Sequence, residues 1–204
     1  MNLTIQKLIS SGVEIVLFSM IPFLWWLITA KKKQSFFAWI GLKPIGTARR
    51  RSVLLWMLAL TVLFLLLSTF ILYSVRNVPM AASEFSGLGI SALPAILIYA
   101  VLNTSLPEEI LFRGFLLKRL TPILGFHAGN LTQSLLFGIA HGAMFWRAVG
   151  IGRTVFIIIF TTSVAWCIGY IDERKADGSI LPGWCIHAIS NLLSGLGTAF
   201  AMLP

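Results

Sequence analysis

Long runs of apolar residues, separated by short basic or polar stretches, dominate this chain. A helix needs roughly 20 apolar residues to cross a bilayer, and several of the runs reach that length. Apolar and polar residues do not alternate within the runs, which argues against a closed β-barrel. The pattern predicts an all-α fold, a polytopic transmembrane helical bundle of about six to eight membrane helices. The predicted spans cover about residues 13–30, 53–75, 88–106, 128–146, 153–170 and 181–203.

The third apolar run continues into a second apolar stretch that ends near Arg119. One helix over both stretches would be about 48 Å long, whereas the hydrocarbon core of a bilayer is about 30 Å thick. Because the residue before a proline disfavours helix, we expect a break at Pro107. A separate short helix would then begin there, with Glu108 and Glu109 in its first turn, where carboxylates favour the helix dipole.

Composition supports a single integral membrane domain over residues 1–204. The chain is 57% hydrophobic and only 11% charged. Its net charge of +9 is also found in proteins that bind nucleic acid. Here, however, the basic residues lie next to apolar spans, which indicates membrane topology and argues against a nucleic-acid partner.

The segment 31–51 carries seven basic residues and no acidic one. By the positive-inside rule, this loop lies in the cytoplasm and the N-terminus lies outside. Aromatic and aliphatic residues within it, from Phe36 to Leu42, predict a short helix that lies on the membrane surface.

Two adjacent carboxylates interrupt an apolar stretch that is predicted to be helical. Ionisable groups inside a membrane are costly and are functional candidates by default. Arg113 follows Glu109 by four residues, so on a helix the two share a face and can pair. Glu108 lies about 100° round the helix from Glu109. The spacing therefore predicts a structural pair between Glu109 and Arg113, and a free Glu108 that can act as a general base or acid.

Two of the three histidines also fall deep in apolar runs. His141 follows Phe137 by four residues and has a glycine on each side of its turn, which lets another chain approach. His187 and Asn191 are four residues apart and share a helix face. Taken alone, each of these polar groups is also explained as a contact that holds two membrane helices together.

Other polar groups are not expected to belong to a site. The segment 171–178 has mixed charges and is interpreted as a solvated turn. Cys167 and Cys185 form no CxxC pair and no metal-ligand spacing, so they are interpreted as small packing residues.

Three motifs occur in order: EExxxR at 108–113, FxxxH at 137–141 and HxxxN at 187–191. Together they resemble the CPBP family of intramembrane proteases, which includes the type II CAAX prenyl endopeptidases and the bacterial Abi-type proteins. The resemblance covers a motif-bearing core of about residues 90–200. It implies a hydrolase, an intramembrane protease of the CAAX-protease type, with each motif on its own membrane helix.

The resemblance also implies roles for individual residues. Glu108 matches the base that activates a water molecule, and His141 matches the histidine that helps to hold this water. His187 and Asn191 match the pair that stabilises the oxyanion of the tetrahedral intermediate. Donors that are fixed on a rigid helix suit this task. The supporting residues of the motifs are Glu109, Arg113 and Phe137.

A metal-dependent reaction is an open alternative. Two histidines and a glutamate, here Glu108, His141 and His187, are a common ligand set for a hydrolytic zinc ion. The HExxH spacing is absent, however, and asparagine is a poor zinc ligand. We therefore expect no cofactor, with zinc as the alternative.

The motifs do not identify the substrate. The expected partners are a peptide or membrane-protein substrate, with or without a lipid group, and the lipid bilayer itself. The short chain resembles bacterial and archaeal members, which implies a multi-pass protein of a prokaryotic cytoplasmic membrane. Two alternatives remain: a non-proteolytic membrane scaffold or bacteriocin-immunity protein with the same fold, and a small transporter with a proton-coupled carboxylate. The complete set of motif residues favours the protease.

Overall fold

The structure is a computed structural model that describes residues 2–74, 78 and 80–202. The described residues are mostly helical and contain no β-strand, so the predicted all-α bundle is confirmed. The helices are α1 (Leu3–Thr29), α2 (Phe36–Ile40), α3 (Arg50–Ser74), α4 (Gly89–Leu124), α5 (Phe126–Val149), α6 (Ile151–Lys175) and α7 (Leu181–Ala199).

Four segments are long and apolar enough to cross a membrane: α1, α4, α6 and the stretch Thr47–Thr69, which includes most of α3. Large apolar side chains on their outer faces are exposed, among them Val16, Ile28 and Leu66. Contact of such an apolar surface with lipid is favourable, whereas its contact with water is unfavourable. The chain is therefore an integral membrane protein. Helices α5 and α7 are more polar, and their assignment as membrane spans stays a prediction.

Helix α4 runs for 36 residues without a break, so the predicted interruption at Pro107 is wrong. The two residues before the proline have ordinary helical backbone angles. The helix continues past Pro107 because two π-helical stretches flank the proline, Tyr99–Ser105 and Ile110–Leu117. In a π-helix each turn is wider and hydrogen bonds run from i to i+5, which accommodates a ring that has no N–H to donate.

The predicted surface helix exists as α2, but one of its faces is buried in the protein. Phe37 is 61% exposed, whereas Trp39 and Ile40 are buried against α4. Gly114 of α4 allows this contact, because a Cβ atom there would lie 2.9 Å from the Ile40 carbonyl oxygen. The basic segment is thus fixed to the core near the motif-bearing helix.

The segment predicted as a solvated turn is partly structural. Residues Ile171–Lys175 continue α6 as a π-helical turn, and Ile171 and Asp172 are buried. Only the end of the segment is a turn, with Asp177 and Gly178 in the left-handed region. The prediction was wrong because helix α7 packs over this turn and covers it.

The charge pattern gives a testable topology. In a variant whose two native cysteines are replaced, Thr47→Cys is expected to react with a membrane-impermeant maleimide only from the cytoplasmic side, because it lies in the basic segment. Ser86→Cys, which is exposed near the other end of the bundle, is expected to react only from outside. Labelling of Thr47→Cys from outside alone would reverse the orientation.

Candidate active site

Glu109 and Arg113 form the ion pair that their spacing predicts. Arg113 Nη1 lies 3.1 Å from Glu109 Oε1, and both side chains are completely buried. The guanidinium also stacks over the ring of Phe137, with its carbon 4.5 Å from the ring centre. A buried charge is tolerated when it is paired, so this pair belongs to the folded core of the site.

His187 lies between the two glutamates. Its Nδ1 atom is 3.1 Å from Glu109 Oε1, and its Nε2 atom is 3.7 Å from Glu108 Oε2. When Nδ1 carries the proton it donates to Glu109, and Nε2 is then left with a lone pair. Glu109 therefore has two partners, because it pairs with Arg113 and also accepts a hydrogen bond from His187. The spacing rules considered only pairs within one helix and did not predict this contact.

Phe137 connects the two histidines. Its ring centre lies 4.3 Å from that of His141 and 6.1 Å from that of His187. The Nδ1 atom of His141 lies 2.9 Å from the Phe137 carbonyl oxygen, one turn earlier in α5. Together with the contacts of His187 to both glutamates, these distances bring residues of the three motifs into one cluster.

Asn191 is held against α4 by two hydrogen bonds that the sequence did not indicate. Its Nδ2 atom donates to Thr104 Oγ1 at 2.7 Å and to Ser105 Oγ at 3.1 Å. A primary amide has two N–H donors, and both are used here. If Asn191 is to stabilise an oxyanion, one of these bonds must be exchanged for the substrate oxygen.

A cavity of about 440 Å³ lies beside the cluster. Arg113, His141, His187 and Asn191 line its polar part, and Glu108 lies behind His187, with its Oε2 atom 3.7 Å from His187 Nε2. The volume equals that of about 15 water molecules, at about 30 Å³ each. The remaining wall combines apolar side chains with hydroxyl groups, among them Phe64, Ser68, Thr69, Phe160, Thr161 and Ser190.

Asp172 is a buried carboxylate of this region that sequence reasoning missed. Its side chain is fully buried, and Oδ1 accepts a hydrogen bond of 2.9 Å from the Gly183 N–H. The signal that was available is its position directly after an apolar helix, where an acidic residue is costly unless it has a partner.

In the part of the chain that the structure describes, no three His, Cys, Asp or Glu side chains are placed to hold a metal ion together. The Nδ1 atoms of His141 and His187 face protein oxygens, which leaves both Nε2 atoms available as ligands. Zinc therefore stays the alternative to a metal-free reaction, and none of the steps proposed below involves a metal.

These features define a helical integral membrane protein with glutamate, histidine and asparagine side chains gathered at an internal cavity. The family model described as type II CAAX prenyl endopeptidase Rce1-like matches residues 90–193, about half of the chain. The chain belongs to this family of proteases, and the matched stretch contains all three motifs. No curated protein and no solved structure matches the chain.

Proposed function

We propose that this protein is an intramembrane endopeptidase that hydrolyses a peptide bond with a water molecule activated by Glu108. The observation that carries the proposal is that His141, His187 and Asn191 line one cavity, with Glu108 Oε2 3.7 Å from His187 Nε2. Membership of a protease family supports the same reaction class.

In the proposed reaction, Glu108 takes a proton from a water molecule that His141 helps to hold, as the water oxygen attacks the peptide carbonyl. The carbonyl oxygen becomes an oxyanion. Glu108 passes the proton to His187 Nε2, 3.7 Å from its Oε2 atom, so that the doubly protonated His187 and one N–H of Asn191 donate to the oxyanion. The intermediate collapses when the C–N bond breaks and the proton returns through Glu108 to the leaving amine. Because the side chains of the site are largely buried, these charge interactions are stronger than in water.

The substrate is proposed to be a peptide or membrane-protein segment that enters the cavity from the bilayer. The cavity wall is largely apolar, which suits a membrane-embedded chain or a lipid group attached to one. We place the protein in a prokaryotic cytoplasmic membrane as a multi-pass protein, with the basic segment 31–51 on the cytoplasmic side.

The activity is tested by incubating the purified protein with a membrane proteome and identifying new peptide termini by mass spectrometry. Wild type is expected to produce termini that are absent with Glu108→Ala. Asp177→Ala is the matched control, because Asp177 is exposed and its ion pair with Arg49 is on the surface. If wild type and Glu108→Ala give the same termini, the proposal is wrong, and a scaffold or immunity function is favoured instead.

A further inference from the structure

The buried carboxylate of Asp172 is not part of the three motifs, yet it lies against the residues that hold His187. It belongs to the last turn of α6, and the Gly183 N–H that it accepts belongs to the first turn of α7. His187 follows Gly183 by four residues and therefore lies one turn further along the same helix. Asp172 thus fixes the start of the helix that carries His187.

Asp172 also faces Glu109. A Cβ atom on Gly183 would lie 2.5 Å from Asp172 Oδ2 and 2.9 Å from Glu109 Oε2, so these two oxygens converge on one point. Both oxygens are buried, and neither has a hydrogen-bond partner among the described residues. Two carboxylate oxygens in a low-dielectric interior repel each other strongly. The repulsion favours the orientation of Glu109 in which its other oxygen, Oε1, turns to Arg113 and His187.

The nearby cations do not remove this interaction. Burial disfavours a charge on Asp172 and Glu109 repels it, whereas Arg113 and Lys118 attract it. Lys118 already binds Glu173 at 2.5 Å and the Gly178 carbonyl oxygen at 2.7 Å. Arg113 is therefore the main positive charge near the Asp172 and Glu109 side chains, and its position depends on both.

We propose that Asp172 is a positioning residue that sets the orientation and tautomer of His187. It acts through the backbone at Gly183 and through the orientation of Glu109. With Asp172 in place, His187 carries its proton on Nδ1, facing Glu109, and keeps the Nε2 lone pair towards Glu108. The consequence for catalysis rests on the proposed function, whereas the effect on the His187 ring does not.

The ring is observed by NMR of protein labelled with ¹⁵N in its histidine rings, in detergent micelles. The chain has only three histidines, so His127→Gln and His141→Gln variants identify the signals of His187. Wild type is expected to give one His187 tautomer, with the proton on Nδ1. Asp172→Asn keeps an oxygen for the Gly183 N–H but puts an amide N–H donor near Glu109 Oε2, so Glu109 is expected to turn and His187 to populate the other tautomer. The signals of His127 are expected to stay unchanged.

Asp172→Ala removes both the carboxyl group and its hydrogen bond, and it is expected to shift the His187 signals further and lower the melting temperature. Asp177→Asn, an exposed change in the turn that follows, is the control and is expected to leave His187 unchanged. The proposal is overturned if wild-type His187 carries its proton on Nε2 or occupies both tautomers. It is equally overturned if folded Asp172→Asn leaves the His187 signals as in wild type.

Activity provides the second measurement. If the protein is a protease, Asp172→Asn is expected to lower kcat by roughly tenfold to a hundredfold with little change in KM, because misplaced catalytic groups slow the reaction more than binding. A wild-type protein that cleaves nothing would refute the proposed function alone, since the NMR measurement on His187 does not depend on turnover. An unchanged kcat in Asp172→Asn would refute the positioning role in catalysis.

Discussion

Arg113→Gln is expected to lower the free energy of unfolding by about 3–5 kcal/mol, the usual cost of removing one partner of a buried ion pair. The reason is that the guanidinium pairs with Glu109 at 3.1 Å, and both side chains are buried. Removal of Arg113 therefore leaves the buried Glu109 carboxylate without its counter-charge. Thermal unfolding of the purified variant, in the same detergent as wild type, measures the loss.

Glu109→Gln is expected to cost less than Arg113→Gln, because the amide oxygen of glutamine can still accept a hydrogen bond from the Arg113 guanidinium. The double variant is expected to cost less than the sum of the single variants, since residues in contact are not additive. Arg51→Gln is the control, because Arg51 is exposed. Additive single changes, or an Arg113→Gln variant that melts like wild type, would contradict the view that this pair holds the site together.

Glu108→Gln is expected to reduce cleavage by about 100-fold to 10,000-fold, the usual contribution of a positioned general base. A neutral amide cannot accept the proton of the attacking water. The variant is expected to melt near wild type, because the Glu108 side chain is 21% exposed and its Oε2 atom lies 3.7 Å from His187 Nε2, beyond hydrogen-bonding distance. Turnover and melting temperature are measured on the same preparation.

The comparison with Glu109→Gln distinguishes a catalytic role of Glu108 from a structural one. Glu109→Gln is expected to lose both stability and activity, because Glu109 supports Arg113 and His187 at once. If Glu108→Gln retained substantial turnover, Glu108 would not be the base. If Glu108→Gln instead lost as much stability as Arg113→Gln, Glu108 would be a structural residue.

The parts of this architecture that follow from local rules could be predicted from the sequence. Apolar runs indicated the helices, and the spacing of four residues indicated the pair between Glu109 and Arg113. The order of the three motifs indicated the protease family, which the match to residues 90–193 shows. Each of these inferences uses residues that are close in sequence, or the order of residues along the chain.

The parts that depend on contacts between helices could not be predicted. Asp172 looked like a solvated turn residue because nothing in its own segment shows that α7 covers it. The hydrogen bonds from Asn191 to Thr104 and Ser105 join residues more than 80 positions apart. The continuous α4 was missed for another reason, since a proline predicts a break unless π-helical turns accommodate it.

The unbroken α4 has a consequence for how a substrate would be presented. Glu108 lies near the middle of this helix, about 29 Å from Gly89 and about 24 Å from Leu124 along its axis. In the proposed reaction the cleaved bond must come to that depth. A membrane helix keeps its carbonyl groups bonded within itself, so it must unwind locally before a water molecule can attack one of them. Segments rich in glycine, proline or β-branched residues unwind at the lowest cost and would therefore be cut in preference to uniform leucine helices.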